Sequence, residues 1–453
     1  MRKITFAYIA ALCLVPILFW SSESQAIPSW GRKYQTSCLM CHSGMPQRNA
    51  VGEAFKNNGY RMPSGVEEAF TRQQQVKIGN DEWKKTLGAP VESSYPSFDP
   101  LSLAFSGNLI SYKSATYTST GAVSAKKELT YNAPNVASLF FGGSVGEHLT
   151  IFGEINGFGG AAVETDRDAT STSTVDTPVS SNVRAVWQFS PGLNLALGNS
   201  FSNVSWNGVG VGGVVNVSGV LPAPVTYAEV NFTRGETAGY SLTAGTSMAA
   251  KTTTPIVATS NTIDDLLYLR GKFKLFGAGL LSGANGDLGN PYTGLDNQIT
   301  IGAGLSYAKN NISGVADPKT QIIPTIGFAG NYTGESLVYG ADVQGVYKDF
   351  QVGVAASHDR DLQLNNFKVE AGYFMYSWLF AKVAYSDMAN ANVIKSSPYD
   401  VHQPTIAPAI SAWLSPAVSL TGTYTYFTKE RTANAITGVT NQNTFALAVR
   451  ASF

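Results

Sequence analysis

The sequence predicts a mainly β fold: a transmembrane antiparallel β-barrel of 16 to 18 strands behind a small α-helical module at the N-terminus. Three observations carry this reading. Only 14% of the 453 residues are charged, against roughly a quarter in a soluble globular chain. Beyond the N-terminal stretch no apolar run approaches the ~18 residues that a spanning helix needs. From Leu101 onward the chain runs in segments of about ten residues in which apolar and polar side chains alternate, the pattern of a membrane barrel.

The N-terminus comes first. Arg2 and Lys3 form a basic start, Ile4 to Trp20 an apolar core, and Ser24-Gln25-Ala26 a small-x-small cleavage site, so residues 1–26 read as a signal peptide. A retained membrane anchor is the competing reading. The short hydrophobic stretch and the cleavage site behind it argue against that. Cleavage removes Cys13 and leaves two cysteines, Cys38 and Cys41. Basic and acidic side chains balance at 31 each. There is no basic field to collect phosphates, so nucleic acid is not an expected partner.

Both remaining cysteines lie in Cys38-Leu39-Met40-Cys41-His42, the CxxCH spacing that attaches a c-type haem. Two thiols separated by two residues reach both vinyl groups of one porphyrin, and the adjacent imidazole falls beneath the iron. One covalent haem c is therefore expected, with thioethers at Cys38 and Cys41 and His42 as proximal ligand. Zinc would need four ligands, and the mature chain offers only His148, His358 and His402 besides, all distant in sequence. A redox disulfide of the thioredoxin kind would need a βαβ context, which is missing.

Gln47 to Asn58 predicts a helix with Val51, Ala54 and Phe55 at helical spacing, and Gly59 stands where a C-terminal cap belongs. Val51 and Phe55 are the expected haem-packing residues. The same pattern, with Asn49, Glu53, Lys56 and Asn57 on other sides, also suits a plain amphipathic surface helix. For the sixth iron ligand, Met40 and Met45 lie too near the motif, whereas Met62 follows the helix and its Gly59 stop. Met62 is the candidate distal ligand; apolar packing is its other reading, and His148 or an open position are the alternatives. Residues 27–86 form the haem module, too small for a comfortable core of its own. A Pro-containing linker, 87–100, leads to the barrel, 101–453.

Within the barrel, Val183, Ala185, Trp187 and Phe189 alternate with Arg184 and Gln188, and Leu267, Leu269, Phe273 and Leu275 alternate with Tyr268, Arg270, Lys272 and Lys274. Three cations on one strand face cannot meet lipid, so they point into a polar lumen. Tight turns are expected at Gly146-Glu147, Ser190-Pro191-Gly192, Gly235 to Ala238, Phe276-Gly277, Lys348-Asp349, Ser377-Trp378 and Ser415-Pro416. Longer loops are expected at Gly159 to Ser181, Ala250 to Asp264, Met388 to Thr405 and Lys429 to Thr440. Counting segments gives 18 strands; Lys309 to Glu335 breaks the rhythm and makes 16 the alternative. Either number is even, so both chain ends lie on one side. A soluble propeller or sandwich would carry more surface charge and a more regular repeat.

One haem beside a barrel poses a distance problem, because the apolar band is about 25 Å tall and tunnelling weakens steeply with separation. Either the small module plugs the lumen and carries its porphyrin toward the outer surface, or a dissolved donor enters the pore. Glu154, Arg184, Arg270, Lys272, Lys274, Asp342, Lys368, Glu370, Lys382 and Arg450 are the lumen residues that could grip a plug by charge pairs or simply hold water.

The stretch Ile27-Pro28-Ser29-Trp30-Gly31-Arg32-Lys33-Tyr34-Gln35-Thr36-Ser37-Cys38-Leu39-Met40-Cys41-His42, then Pro46, Asn49, Gly52, Ala54-Phe55-Lys56 and Asn58-Gly59-Tyr60, resembles the fused monohaem cytochrome–porin proteins of outer membranes, including those of iron-oxidising bacteria. The terminal strand Phe445, Leu447, Val449, Ala451 and Phe453 resembles the closing strand of outer-membrane barrels. Trp30-Gly31 stands where the family pattern carries Phe-Ala, and Gln47-Arg48 replaces a more apolar pair. The resemblance implies electron transfer across an outer membrane, with extracellular Fe(II) as donor, a periplasmic cytochrome as acceptor and outer-membrane lipid around the barrel. A diffusion porin with a haem-containing plug and a peroxidase-like haem enzyme are the alternatives; the latter would need an open iron position and a distal acid/base group.

Overall fold

A computed structural model of the chain describes residues 28–34, 36, 38–44, 47–63, 101–119, 122–145, 148–156, 163–164, 180–199, 226–248, 250–253, 260–283, 288–290, 294–313, 331–360, 364–389, 402–415, 418–428 and 439–452. The signal peptide, the linker, Phe453 and the turn at Gly146-Glu147 lie outside these residues.

The N-terminal module holds a helix, Pro28–Tyr34, a 3-10 turn at Cys38–Met40, a small hairpin of β1 (His42–Gly44) and β2 (Gln47–Arg48), and a second helix, Ala50–Asn57. The second helix starts three residues later than its periodicity predicts because Gln47–Arg48 pairs back onto β1, with Arg48 opposite His42. Asn49 then caps it, its side chain accepting from the Gly52 amide at 3.0 Å. At the other end Gly59 sits at φ +68° as its position predicts, and the Tyr60 amide donates to the Phe55 carbonyl at 2.9 Å.

The remaining chain forms β3 (Leu101–Ser119), β4 (Ala122–Val145), β5 (Leu149–Asn156), β6 (Val163–Glu164), β7 (Ser180–Ser190), β8 (Leu193–Gly198), β9 (Thr226–Gly235), β10 (Gly239–Met248), β11 (Ala250–Thr253) and β12 (Ser260–Lys274). There follow β13 (Leu288–Asn290), β14 (Leu295–Asp296), β15 (Gln298–Ser313), β16 (Asn331–Tyr347), β17 (Phe350–Asp359), β18 (Leu364–Tyr376), β19 (Leu379–Ala389), β20 (His402–Ser415), β21 (Val418–Phe427) and β22 (Val439–Ser452). All but β13 and β14, which form a separate two-stranded hairpin, make one closed antiparallel barrel in which β22 pairs with β3. Because β5 pairs directly with β7 and β10 directly with β12, the short β6 and β11 only extend existing positions. The wall therefore has 16 strands, the lower of the two expected numbers.

Two expected connections are corrected. Phe276-Gly277 does not join adjacent strands; it opens the longer connection 275–297, which carries the β13–β14 hairpin on the short-turn end. Ala250 to Asp264 is not all loop, since 250–253 and 260–264 pair as strand. The Ser190 to Gly192, Gly235 to Ala238, Lys348-Asp349 and Ser377-Trp378 turns all link neighbouring strands as expected.

The alternation has its predicted physical meaning. On β12, Leu267, Leu269 and Phe273 are 40–53% exposed on the outside, while Arg270 and Lys274 are 2–3% exposed toward the lumen. Tyr347, Phe350, Tyr376 and Trp378 stand exposed near the short turns, and Tyr339, Phe367 and Tyr426 stand eight or nine residues further along their strands. At ~3.4 Å per tilted residue the two aromatic girdles are roughly 20 Å apart, close to the height of a bilayer's apolar band. Val343 stands exposed midway between Tyr339 and Tyr347 on β16. Val343→Arg is expected to cost about 2–4 kcal/mol of folding free energy in lipid, measured by denaturant titration in vesicles. A change below 0.5 kcal/mol, typical of an ordinary water-facing site, would refute the lipid contact.

Candidate functional site

The N-terminal module lies in the lumen toward the short-turn end: among the described residues it meets the inward-facing Ser144, Gln188, Asn194, Lys272 and Gln351, all near that end of their strands. Its wall contacts are a chain of hydrogen bonds, two of them from charged donors, and one ion-pair cluster. Lys33 donates to the Ser144 hydroxyl at 2.6 Å, Arg61 to the Leu149 carbonyl at 3.0 Å, and Gln47 to the Gln351 carboxamide at 2.5 Å. Asn57 and Asn58 donate to the Leu280 and Leu281 carbonyls in the 275–297 connection, at 2.9 and 2.7 Å. In return, Gln188 and Asn194 donate from β7 and β8 to the Asn58 and Asn57 carbonyls.

An apolar seat completes the docking. Phe152, Val186, Ala196 and Tyr227 are buried inward-facing wall residues, and Trp30 and Tyr60 pack on them. Trp30 stacks on Tyr60 at 5.4 Å between ring centroids and meets Phe55 and Phe152 edge-on at 5.1 and 5.4 Å. The Arg184 guanidinium lies over the Tyr60 ring at 5.9 Å, a cation–π contact between wall and plug.

The helix 50–57 is buried on its polar side as well. Glu53, 3% exposed, accepts from Arg48 at 3.1 Å and from Lys272 on β12 at 3.2 Å. Burial alone raises the Glu53 carboxyl, but Lys56, Lys272 and Arg48 outweigh it and hold the group well below the usual carboxylate range. The surface-helix reading is thereby corrected: the polar face meets a polar wall instead of water. Of the lumen charges expected to grip a plug, Lys272 makes the ion pair to it, whereas Arg184–Glu229, Arg270–Asp342 and Lys368–Glu370 pair within the wall.

The Cys38–His42 motif sits beside this latch. The 3-10 turn Cys38–Met40 leads directly into Cys41. The Cys41 carbonyl accepts from the Asn49 amide at 3.0 Å, and the Asn49 side chain donates to the Leu39 carbonyl at 3.0 Å. Leu39 and Met40 are exposed on the turn. Cys41 is a half-buried thiol, pushed up to about 11 by desolvation, so it is not primed as a free nucleophile. A soft thiol and the adjacent imidazole, on a turn that leaves apolar side chains open, fit attachment of a porphyrin at Cys38, Cys41 and His42.

The other expected haem contacts have different neighbours. Phe55 packs with Tyr34 and Met62, with Trp30 and Tyr60 against them. Val51 lies against Gly283 of the 275–297 connection. Met62, 4% exposed, belongs to the same aromatic cluster as Phe55, the apolar packing that was its second reading. His148 stands exposed at the short-turn rim, bonded to the Gln188 carbonyl and stacked on the outward Trp187. Trp30, Gln47 and Arg48 stood out in the sequence only as departures from the family pattern, and the seat residues Phe152 and Val186 were not singled out. A signal existed for Val186, since Ala185-Val186-Trp187 breaks the alternation with an apolar residue where a lumen residue belongs.

Gly52 explains how closely motif and helix approach. A Cβ at this position would overlap the Cys41 carbonyl. Helix propensity favours alanine over glycine by about 1 kcal/mol, so propensity and packing predict opposite signs for Gly52→Ala. The expected outcome is loss of hydrogen-exchange protection across residues 38–57 while the barrel strands keep theirs. Increased protection would show that the contact relaxes.

No family model matches the sequence, and no curated protein matches it. Among solved structures, the chain is similar to the outer membrane channel DcaP of Acinetobacter baumannii, with 13% identity over 78% of this chain and 96% of that one, TM-score 0.43. It is similar also to an anion-selective porin from Comamonas acidovorans, with 12% identity, coverage of 78% and 99%, TM-score 0.43. For OmpF of Salmonella typhi the identity is 10%, the coverage 78% and 97%, and the TM-score 0.44. These likenesses concern barrel architecture, and no functional statement rests on them.

Proposed function

We propose that the chain is an outer-membrane electron conduit in which the plug holds one haem c at the short-turn mouth of the barrel. The supporting observation is the position of the Cys38–His42 turn: it is bonded to Asn49 and Arg48, and through Gln47 and the helix to the inner wall at that mouth. Of the two routes across the membrane, this position favours a dissolved donor that enters the lumen from the far end. Ferrous iron, which the family resemblance implies, is small enough for such a path.

When bound, the haem supplies reversible one-electron chemistry at iron. Cys38 and Cys41 would hold it covalently and His42 would bind the iron. The plug keeps that turn fixed relative to the wall, and the wall separates it from lipid. The short-turn face would be periplasmic, where a soluble cytochrome can dock.

Protein purified from a haem-competent host should show a pyridine haemochrome spectrum, and mixing with Fe(II) in a stopped-flow cell should reduce the haem. A reducible haem that Fe(II) leaves oxidised removes the iron assignment. Met62→Ala should change the potential and the methionine-to-iron band if Met62 is the distal ligand; an unchanged spectrum leaves it as packing.

A second reading is a diffusion porin closed by the same plug. The inward-facing Arg184–Glu229 and Arg270–Asp342 pairs favour a polar, solute-compatible lumen. Liposome swelling with small sugars at the rate of an open porin would support it over the conduit.

A further inference from the structure

The outer wall carries a groove beside the aromatic girdle that lies far from the short turns. Its volume is about 750 Å³, and it opens on the side of the outward-facing Leu242, Leu269, Leu305 and Tyr339. The floor follows one row of the sheet: Gly271 on β12 lies opposite Ala303 on β15, Ala303 opposite Ala341 on β16, and Ala341 opposite Ala356 on β17. The next outward row toward the girdle holds Leu269, Leu305, Tyr339 and His358, and the row on the other side holds Phe273, Ile301, Val343 and Val354. Leu242 and Phe367 continue the floor row at its two ends. Larger side chains thus surround a floor that spans roughly 14 Å from Gly271 to Ala356, three strand spacings.

The glycine in this floor has no explanation within the chain. Glycine inside a strand costs stability and marks a bulge, a sharp bend or the close approach of another molecule. The pairing of β12 with β10 and with β15 runs through Gly271 without a bulge. Its φ lies outside the left-handed region, and a Cβ placed on it would touch nothing. The third reason remains. The rim toward the girdle is polar as well as aromatic: the His358 Nδ1–H donates to the Asn365 Oδ1 at 2.8 Å, and the His358 ring lies 5.3 Å from that of Tyr339.

We propose that the groove holds one acyl chain of a membrane phospholipid, with the headgroup beside Tyr339, His358 and Asn365. The groove is continuous with the lipid-facing wall, where acyl chains are the solvent, and a void left there forfeits the dispersion contacts of its lining. An apolar floor under a polar, aromatic rim matches the two ends of such a lipid. A second copy of the chain fits less well. Two rigid barrels in the same bilayer orientation would bring groove against groove and leave both unfilled. The site is on the opposite side of the wall from the plug and does not depend on whether haem is bound.

The test uses the full mature protein, extracted from membranes in mild detergent. Native mass spectrometry should show one phospholipid retained per barrel. Crystals grown with phosphatidylethanolamine brominated on an acyl chain should show an anomalous bromine peak over Ala303 and Ala341. Gly271→Leu combined with Ala341→Leu builds into open space and should lower the retained fraction roughly tenfold, with heat-modifiable migration unchanged. Gly422 supplies the control, because it pairs with the exposed Ile410 elsewhere on the outer wall and a Cβ there also touches nothing. Gly422→Leu should retain phospholipid as wild type does. Equal retention in wild type and the filled-groove variant, equal loss in Gly422→Leu, or a lipid-free mass of two chains overturns the proposal. Should the filled-groove variant fail to fold, the wild-type crystals decide, and a groove without bromine overturns it.

Discussion

Replacing both Cys38 and Cys41 by serine is expected to abolish covalent haem completely while the barrel still assembles. Denatured protein from a haem-competent host should lose haem-dependent peroxidase staining, and the pyridine haemochrome signal should vanish. The strand pairing from Leu101 to Ser452, closed by β22 against β3, involves neither cysteine. Heat-modifiable migration on gels should thus remain. His42→Ala separates attachment from ligation: the thioethers can still form, but the spectrum should change because the proximal imidazole is gone. Retention of covalent haem by the double serine variant would remove the CxxCH reading, and with it the conduit.

Much of the barrel was legible because the period-2 pattern is a direct record of lipid on one side and a polar lumen on the other. The expected start at Leu101 is the first residue of β3. The segment rhythm fails between Lys309 and Glu335, where β15 runs on to Ser313 and β16 begins at Asn331, and the two pair directly as neighbours. The 275–297 connection was misread because Phe276-Gly277 has turn composition, and Gly277 does adopt φ +115°, yet the chain goes on to make a second hairpin against the plug.

The Gly59 cap was legible because it depends on local chemistry. Docking was not. Glu53 reads as solvent-facing on its helix, and nothing within a few residues of it says that Lys272, more than two hundred positions away, supplies its partner. The replacement of a more apolar pair by Gln47-Arg48 acquires a reason in the structure. Gln47 reaches Gln351 on the wall, and Arg48 reaches Glu53.

Glu53→Gln is expected to loosen the plug more than any other single change to its polar contacts. The substitution keeps size but removes the carboxylate that Arg48 and Lys272 share and that attracts Lys56. Breaking a buried pair by removing one partner costs about 3–5 kcal/mol, whereas each neutral hydrogen bond at the same interface contributes about 0.5–1.5 kcal/mol. The aromatic seat of Trp30 and Tyr60 remains, so the plug should become protease-sensitive without the barrel losing its thermal stability. Lys272→Gln added to Glu53→Gln should restore part of the loss, because it removes one of the stranded cations, and the double-mutant cycle reports that coupling. The pH dependence has a definite sign. Since the folded Glu53 carboxyl is held below its ordinary range, its contribution is present at neutral pH and disappears only as the pH falls beneath that range. Wild type at pH 5.5 should therefore keep its plug as it does at pH 7.5, while Glu53→Gln should be loosened at both. Equal protease resistance of wild type and variant would mean that the aromatic seat and the neutral bonds retain the plug alone, and that the charge cluster serves only to orient the helix.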